Sequence, residues 1–207
     1  MTVFLIIAAI VCAYLLGSIP SAYFITKMRK GTDIRQIGSK NMGAMNVYYN
    51  VGFVWGLLVM AMDIGKGTAA IAIADAMGVP ELAQMGAGLV AVLGHNFPVF
   101  LNFRGGKGGA TVIGVLIYLM PWGIPLGLGI FGLLLLVIHF PTLSYGIAML
   151  NFPFIAWLIY DRWEWVVFSM VMILVPYIRY IPRIKEMKAK AGNWQRVIKR
   201  QNIKDRF

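Results

Sequence analysis

Seven apolar runs follow one another along the 207-residue chain and constrain its fold more than any other feature. A helix that spans a bilayer needs about 20 mostly apolar residues, or somewhat fewer where other helices surround it. The runs cover residues 2–26, 51–77, 82–101, 111–120, 123–139, 143–160 and 163–178. Because 59% of the residues are hydrophobic and only 13% are charged, a soluble enzyme, a disordered protein and a secreted disulfide scaffold are excluded.

The basic residues decide how many of these runs span the membrane and in which direction. Five Lys and Arg lie in residues 27–50 and ten lie from Arg179 to the end, whereas residues 75–81 contain none. Basic connections face the cytoplasm. Seven spans place every basic segment inside, whereas six would leave the basic tail outside. We therefore predict an all-α polytopic membrane protein with seven transmembrane helices, its N-terminus outside and its C-terminus inside.

Pro121 and Pro125 predict a turn between the fourth and fifth of these helices, with one kinked helix as the alternative. We expect two regions: residues 1–184 as the membrane domain and residues 185–207 as a basic cytoplasmic tail. The tail is too polar to span and is either a short surface helix or disordered. The net charge of +11 favours contact with anionic substrates or lipid headgroups over contact with nucleic acid.

A glycine-rich basic loop is the clearest candidate for chemistry. Residues 103–111 place Gly105, Gly106 and Gly108 around Lys107, directly before an apolar run. Glycines allow the backbone to approach a ligand, and a helix N-terminus attracts anions, so the pattern predicts a phosphate cradle with Lys107 as the countercharge. The spacing is not that of a Walker A loop. The alternative is a flexible turn with topological cations.

One acid–base pair and the two histidines also stand out. Asp63 and Lys66 lie three residues apart within an apolar run, so we expect a buried pair that either locks helix packing or takes part in catalysis. His95 precedes the glycine loop and suits binding, proton transfer or capping, whereas His139 is expected to lie at the membrane interface. No Cys, His and acid cluster has the spacing of a metal site, so no metal is expected.

Several motifs in this order resemble the bacterial membrane-integral acyl-phosphate:glycerol-3-phosphate acyltransferases, over nearly the whole chain. The matching segments are Gly-Ser-Ile-Pro-Ser-Ala-Tyr at 17–23, Asp-Ile-Arg at 33–35, Gly-Ser at 38–39 with Asn41, Gly-Ala at 43–44 with Asn46, Asp-Ile-Gly-Lys-Gly at 63–67, and the run from Gly94 to Thr111.

The resemblance implies an enzyme of phospholipid biosynthesis. Members of this family span the membrane seven times with the same sidedness. They move a fatty acyl group from acyl-phosphate to the 1-hydroxyl of glycerol-3-phosphate, giving lysophosphatidic acid, without acyl-CoA, acyl carrier protein or another cofactor. The resemblance also implies a multi-pass protein of the bacterial plasma membrane whose active face is cytoplasmic. The expected partners are the two substrates and membrane lipid, with no nucleic acid and no metal.

Carried over by position, the resemblance also names site residues. The expected catalytic residues are Ser39, Lys107 and His95. The expected substrate-binding residues are Arg35, Lys40, Asn41, Asn46, Gly105, Gly106, Gly108, Thr142, Ser144 and Arg183.

The chain departs from the family pattern at four positions. Met45 and Tyr49 stand where the family has Thr and Arg, and Tyr180 and Arg183 stand where it has His and Asn. A later Asn-Ile at 202–203 restores part of that motif if an insertion is allowed. We expect Arg183 or Lys40 to replace the missing arginine. The alternatives are a paralogue with another acceptor, an inactive paralogue, or a transporter of a small phosphorylated anion, although no internal repeat is visible.

Overall fold

The computed structural model describes residues 1–198 and 200, and all regular structure in that part of the chain is helical. Short turns and two 3-10 turns separate the α-helices. In chain order these are α1 (Thr2–Ser18), α2 (Ser21–Lys30), α3 (Ala44–Asn50), α4 (Phe53–Ala76), α5 (Glu81–Asn96), α6 (Gly109–Leu119), α7 (Gly123–Ile138), α8 (Pro141–Met149), α9 (Asn151–Leu158), α10 (Trp163–Ala191) and α11 (Trp194–Ile198). The predicted all-helical fold is confirmed. The Asn-Ile at 202–203 and the end of the predicted tail lie outside the described residues.

Four helical stretches within the described chain are long and apolar enough to cross a membrane, namely Thr2–Lys30, Phe53–Ala76, Glu81–Leu101 and Trp163–Ala191. Two shorter apolar helices, α6 and α7, occupy the predicted fourth and fifth spans. The 11 residues of α6 extend about 16 Å, roughly half of a hydrocarbon core. The count of seven spans therefore stays a prediction.

Several helix ends differ from the apolar runs. The first run is divided at Ile19 and Pro20, because proline fixes its own backbone and restricts the residue before it. The run at 143–160 is divided into α8 and α9 at Leu150. The expected turn before α7 is present, since α6 ends at Leu119. Finally, α10 continues past position 184, so the expected domain boundary falls inside a helix.

The continuation of α10 has a packing cause. Met187 and Ala191 lie four residues apart on one helix face, and both are buried against Phe140 and Val197. These contacts give the basic segment an apolar stripe that a count of its charges does not reveal.

The first of two compact units covers Met1–Leu119. In it α1 packs against α4 and α5, and α4 also packs against α6. Glycines allow two of these helix pairs to touch through their backbones. A Cβ on Gly17 would collide with the carbonyl of Ala91, and one on Gly114 would collide with the carbonyl of Ile64. Small residues at helix interfaces are typical of membrane bundles.

The second unit covers Met120–Phe207 and contains the helices from α7 onward. Helix α7 packs against α8 and α9, and α10 packs against α9. The ring of Phe152, fully buried, lies against Gly123.

Candidate functional site

Arg35 ties two segments of the first unit together. Its guanidinium forms an ion pair with Asp33, with Nη2 2.7 Å from Oδ2, and its Nη1 donates to the carbonyl of Leu101 at 3.2 Å. The hydrogen bonds from Arg35 hold the pKa of Asp33 below its ordinary value, and Asp33 in turn raises the pKa of Arg35. The loop before α3 is thereby fastened to the turn that leads into the glycine loop.

Asn46 organises the loop that carries Ser39. Its side-chain nitrogen donates to the carbonyls of Ile34, Ile37 and Asn41 at 3.1, 3.0 and 3.0 Å, sharing two hydrogens among them. Its side-chain oxygen accepts from the backbone N–H of Ser39 at 3.0 Å. Asn46 is 2% exposed. We expected its amide to contact substrate, but the structure uses that amide to hold the loop.

The glycine loop folds back onto the end of α5. The N–H of Gly105 donates to the carbonyl of Asn96 at 3.2 Å, and the N–H of Gly106 donates to the carbonyl of His95 at 3.1 Å. Gly108 has φ +85°, a left-handed conformation that favours glycine. Two of the amides that we expected to face a phosphate therefore fix the loop instead. The N–H groups that follow, from Lys107 into the first turn of α6, are placed at a helix N-terminus.

The loop that carries Ser39 meets the glycine loop at Gly106. A Cβ on Gly106 would collide with the carbonyl of Met42 and with Nε2 of His95. The loop that carries Ser39 and the glycine loop, far apart in the sequence, are thus in contact. Lys107 is half-buried within this region.

Three expected site residues lie together in the loop before α3. Ser39 and Asn41 are half-buried, and Lys40 is exposed with φ 56°. Within the described part of the chain, their side-chain polar atoms have no hydrogen bonds to the protein, in contrast to Asn46. They are available to a ligand.

The predicted pair of Asp63 and Lys66 is confirmed. Their side chains are 2.8 Å apart and almost completely buried. Asp63 also accepts a hydrogen bond from the hydroxyl of Ser21 at 3.0 Å, and Nδ1 of His95 lies 3.6 Å from the same carboxylate oxygen. His95 is 3% exposed and lies between Asp63 and the glycine loop.

The second unit holds the other three expected site residues. Thr142 lies in the first turn of α8 and is a hydrogen-bond partner of Tyr180. Ser144, also on α8, is fully buried. Arg183 forms an ion pair with Glu186 one turn later on α10, at 2.6 Å.

Sequence reasoning missed two residues of the first unit. Ser21 completes the surroundings of Asp63, and its place in the resembling segment at 17–23 was the available signal. Asn96 is fully buried, and its side-chain amide has no hydrogen-bond partner among the residues described. Its oxygen lies 2.9 Å from where a Cβ on Gly108 would stand. Its place in the resembling run from Gly94 to Thr111 was the available signal, but nothing in the sequence placed its side chain against Gly108.

No group of three or more His, Cys, Asp or Glu that could hold a metal ion occurs in residues 1–198 or at 200. The expectation that the reaction needs no metal stays a prediction.

The helices of the described residues, with four stretches long and apolar enough to cross a membrane, define the class as an all-helical membrane protein. The chain belongs to the glycerol-3-phosphate acyltransferase family, whose model matches residues 7–190. The resemblance noted from the motifs is thereby confirmed, and the protein is an acyltransferase of the membrane.

Relatives and solved structures agree with this assignment. The chain is 51% identical to "Glycerol-3-phosphate acyltransferase 2" of Dehalococcoides mccartyi, with 98% of each chain covered. It is 38% identical to "Glycerol-3-phosphate acyltransferase" of Bacillus subtilis, covering 88% of this chain and 94% of the relative. The crystal structure of PlsY (YgiH), an integral membrane glycerol 3-phosphate acyltransferase, in its glycerol 3-phosphate form is 31% identical. It has a TM-score of 0.80 and 92% of each chain covered.

Proposed function

We propose that the protein transfers a fatty acyl group from acyl-phosphate to the 1-hydroxyl of glycerol-3-phosphate, giving lysophosphatidic acid for phospholipid synthesis. The observation that carries this proposal is the glycine loop with Lys107 at the start of α6, packed at Met42 against the loop that carries Ser39. Such a site suits phosphate, which both substrates carry. Solved structures of PlsY in glycerol 3-phosphate and lysophosphatidic acid forms support the choice of acceptor and product.

The reaction needs no covalent enzyme intermediate, because acyl-phosphate is a mixed anhydride with a good leaving group. The acceptor oxygen attacks the acyl carbonyl carbon and forms the ester bond. The bond from that carbon to the phosphate oxygen breaks, and inorganic phosphate leaves with the electron pair. The hydroxyl proton passes to a phosphate oxygen. His95 is the alternative proton acceptor, but its burial beside Asp63 favours the phosphate.

The site residues then act by positioning and charge. Lys107 and the first N–H groups of α6 neutralise a phosphate, which lowers the cost of bringing two anions together. Ser39, Lys40 and Asn41 have side chains free to contact substrate oxygens. Arg35, already paired with Asp33, acts mainly by holding the loop that presents them.

Roles in the second unit extend the same proposal. Thr142 and Ser144 stand roughly where the resembling family carries serines. Tyr49 stands where the resembling family has an arginine, and Arg183 or Lys40 supplies the cation in its place. In either case the cation makes a charge-assisted bond to phosphate. We assign the basic residues from 185 onward to a cytoplasmic tail that contacts anionic headgroups.

We further assign the chain seven spans in the bacterial plasma membrane, N-terminus outside and C-terminus inside, with the site on the cytoplasmic face. The sidedness of the basic residues supports this arrangement. Cysteine-reporter mapping tests it at three exposed positions: 104 and 196 should label from the same side, and 80 from the other. Labelling of 104 and 196 from opposite sides would refute it.

The activity is tested with purified protein in detergent. Labelled acyl-phosphate should give labelled lysophosphatidic acid with glycerol-3-phosphate as acceptor, and the rate should persist with a metal chelator. If lysophosphatidic acid forms at a rate that a chelator lowers, only the metal-free mechanism is refuted and the acyl transfer stands. Transfer to another phosphorylated alcohol only would identify a paralogue with a different acceptor. Anion flux in liposomes without any acyl transfer would identify a transporter and refute the proposal.

A further inference from the structure

A carboxylate on α4, which the transfer chemistry does not use, is the centre of a buried cluster. The Asp63 cluster consists of Ser21, Asp63, Lys66 and His95, all between 1% and 6% exposed. Ser21 donates to the Asp63 carboxylate at 3.0 Å, Lys66 pairs with it at 2.8 Å, and Nδ1 of His95 lies 3.6 Å from it. One carboxylate oxygen thus faces three polar groups on three helices.

Stability alone is a poor explanation for such a cluster. Removing two charges from water costs several kcal/mol per ion, and well-packed apolar residues often replace a buried ion pair without loss. A buried pair is therefore weak support for a fold. What the charge does to its third neighbour, His95, gives a better reason for its presence.

His95 connects the cluster to the glycine loop. Its Nδ1 edge faces Asp63, and its Nε2 edge lies so close to Gly106 that a Cβ there would collide with it. The carbonyls of His95 and Asn96 also accept the N–H groups of Gly106 and Gly105. The imidazole is thus the one side chain of the cluster that touches both the carboxylate and the loop.

Lys66 and Ser21 fix the carboxylate itself. The Lys66 ammonium also donates to the carbonyl of Ile19 at 3.0 Å, at the break between α1 and α2. Ser21 begins α2 immediately after that break. Asp63 is therefore held against rotation by Ser21 of α2 and by Lys66 of its own helix.

We propose that Asp63 is a positioning residue for the glycine loop. Its carboxylate holds the His95 imidazole in the orientation that sets the place of Gly106, and thereby of Lys107 and the first N–H groups of α6. The phosphate that benefits is the one assigned under the proposed function. The effect on the loop itself does not depend on that assignment.

Asp63→Asn tests the proposal, with Asp75→Asn as a matched control. Asp75 lies on the same helix and bonds Gln84 and Tyr118 far along α4 from the loop. We expect Asp63→Asn to speed hydrogen exchange of residues 103–110 at least tenfold. We also expect it to raise the KM for glycerol-3-phosphate about tenfold with kcat changed less than threefold. Asp75→Asn should leave both unchanged. Wild-type loop exchange in Asp63→Asn would overturn the proposal.

A double variant separates positioning from stability, because Asp63→Asn alone leaves the Lys66 charge buried without its carboxylate. Asp63→Asn with Lys66→Met removes both charges and should recover the melting temperature of the wild type. Fast loop exchange and a raised KM should persist in it. If both return to wild-type values, Asp63 acts only through stability and the proposal is wrong. If the wild type transfers no acyl group while Asp63→Asn still speeds loop exchange, the proposed function fails and the positioning role stands.

Discussion

Replacing Gly106 with alanine probes the geometry of the site directly. The added Cβ would collide with the Met42 carbonyl and with Nε2 of the buried His95. Gly106 does not adopt a positive φ, so the effect is steric and not conformational strain. A backbone carbonyl cannot turn away as a flexible side chain can. Restoring ordinary contact requires the loop to move by roughly 1 Å.

A displacement of that size predicts a specific loss. A shift of about 1 Å in a positioned group costs about 100-fold in rate, or about 2.7 kcal/mol of transition-state stabilisation. We expect Gly106→Ala to lower kcat/KM for transfer from acyl-phosphate to glycerol-3-phosphate by that factor. Overpacking should also lower the unfolding free energy by about 1–3 kcal/mol.

The assay measures labelled lysophosphatidic acid in detergent at varied acceptor concentration, alongside the melting temperature. Gly65→Ala is the control, because that glycine lies on α4 with no atom within 4 Å of its added Cβ. It should keep full activity. A Gly106→Ala enzyme with wild-type kcat/KM would refute the argument that the contact with Met42 and His95 sets the geometry of the site.

Three other changes have defined outcomes. Lys107→Met should raise the KM of a phosphate substrate about 10- to 100-fold, because a charge-assisted bond is lost. The control His139→Ala should change kcat/KM less than twofold. A larger loss of activity in His139→Ala than in Lys107→Met would contradict the proposed site. Arg35 lowers the pKa of Asp33 in the folded protein, so the ionised carboxylate stabilises the fold at pH values above the ordinary pKa of 3.8. That stabilisation is lost as the pH falls through the lowered pKa. Asp33→Asn should therefore lower the stability at pH 7 by about 1 kcal/mol or less, which is measured as a lower melting temperature. The difference from wild type should disappear once the pH lies below the lowered pKa of Asp33, and a difference that stays constant with pH would count against the pair. Arg183→Ala should raise the acceptor KM about tenfold, and an unchanged value would show that the missing cation is not replaced there.

Hydrophobic runs and residue spacing predicted much of the fold and one ion pair beside the candidate site. The run at 51–77 became one helix, α4, because nothing in it interrupts helical packing. The pairing of Asp63 with Lys66 followed from their spacing on one helix face, since unpaired charges are costly in an apolar run.

Other features depended on contacts between distant segments. Asn46 appeared to be a ligand for substrate because its partners, the carbonyls of Ile34 and Ile37, are visible only once the loop has folded around it. Likewise, the N–H groups of Gly105 and Gly106 are used by the end of α5, which no local pattern reveals. The length of α10 was underestimated because Met187 and Ala191 pack inward among charged neighbours.

Where Gly17 meets Ala91 and Gly114 meets Ile64, helices touch through main chain and leave no layer of side chains to rearrange. These helix contacts cannot adapt to a new substrate through changes of side-chain rotamer, because main-chain atoms make the contacts. Redesign for another acceptor should therefore vary positions in and just after the loop that carries Ser39, such as Lys40, Met45 and Tyr49, and leave the helix crossings intact.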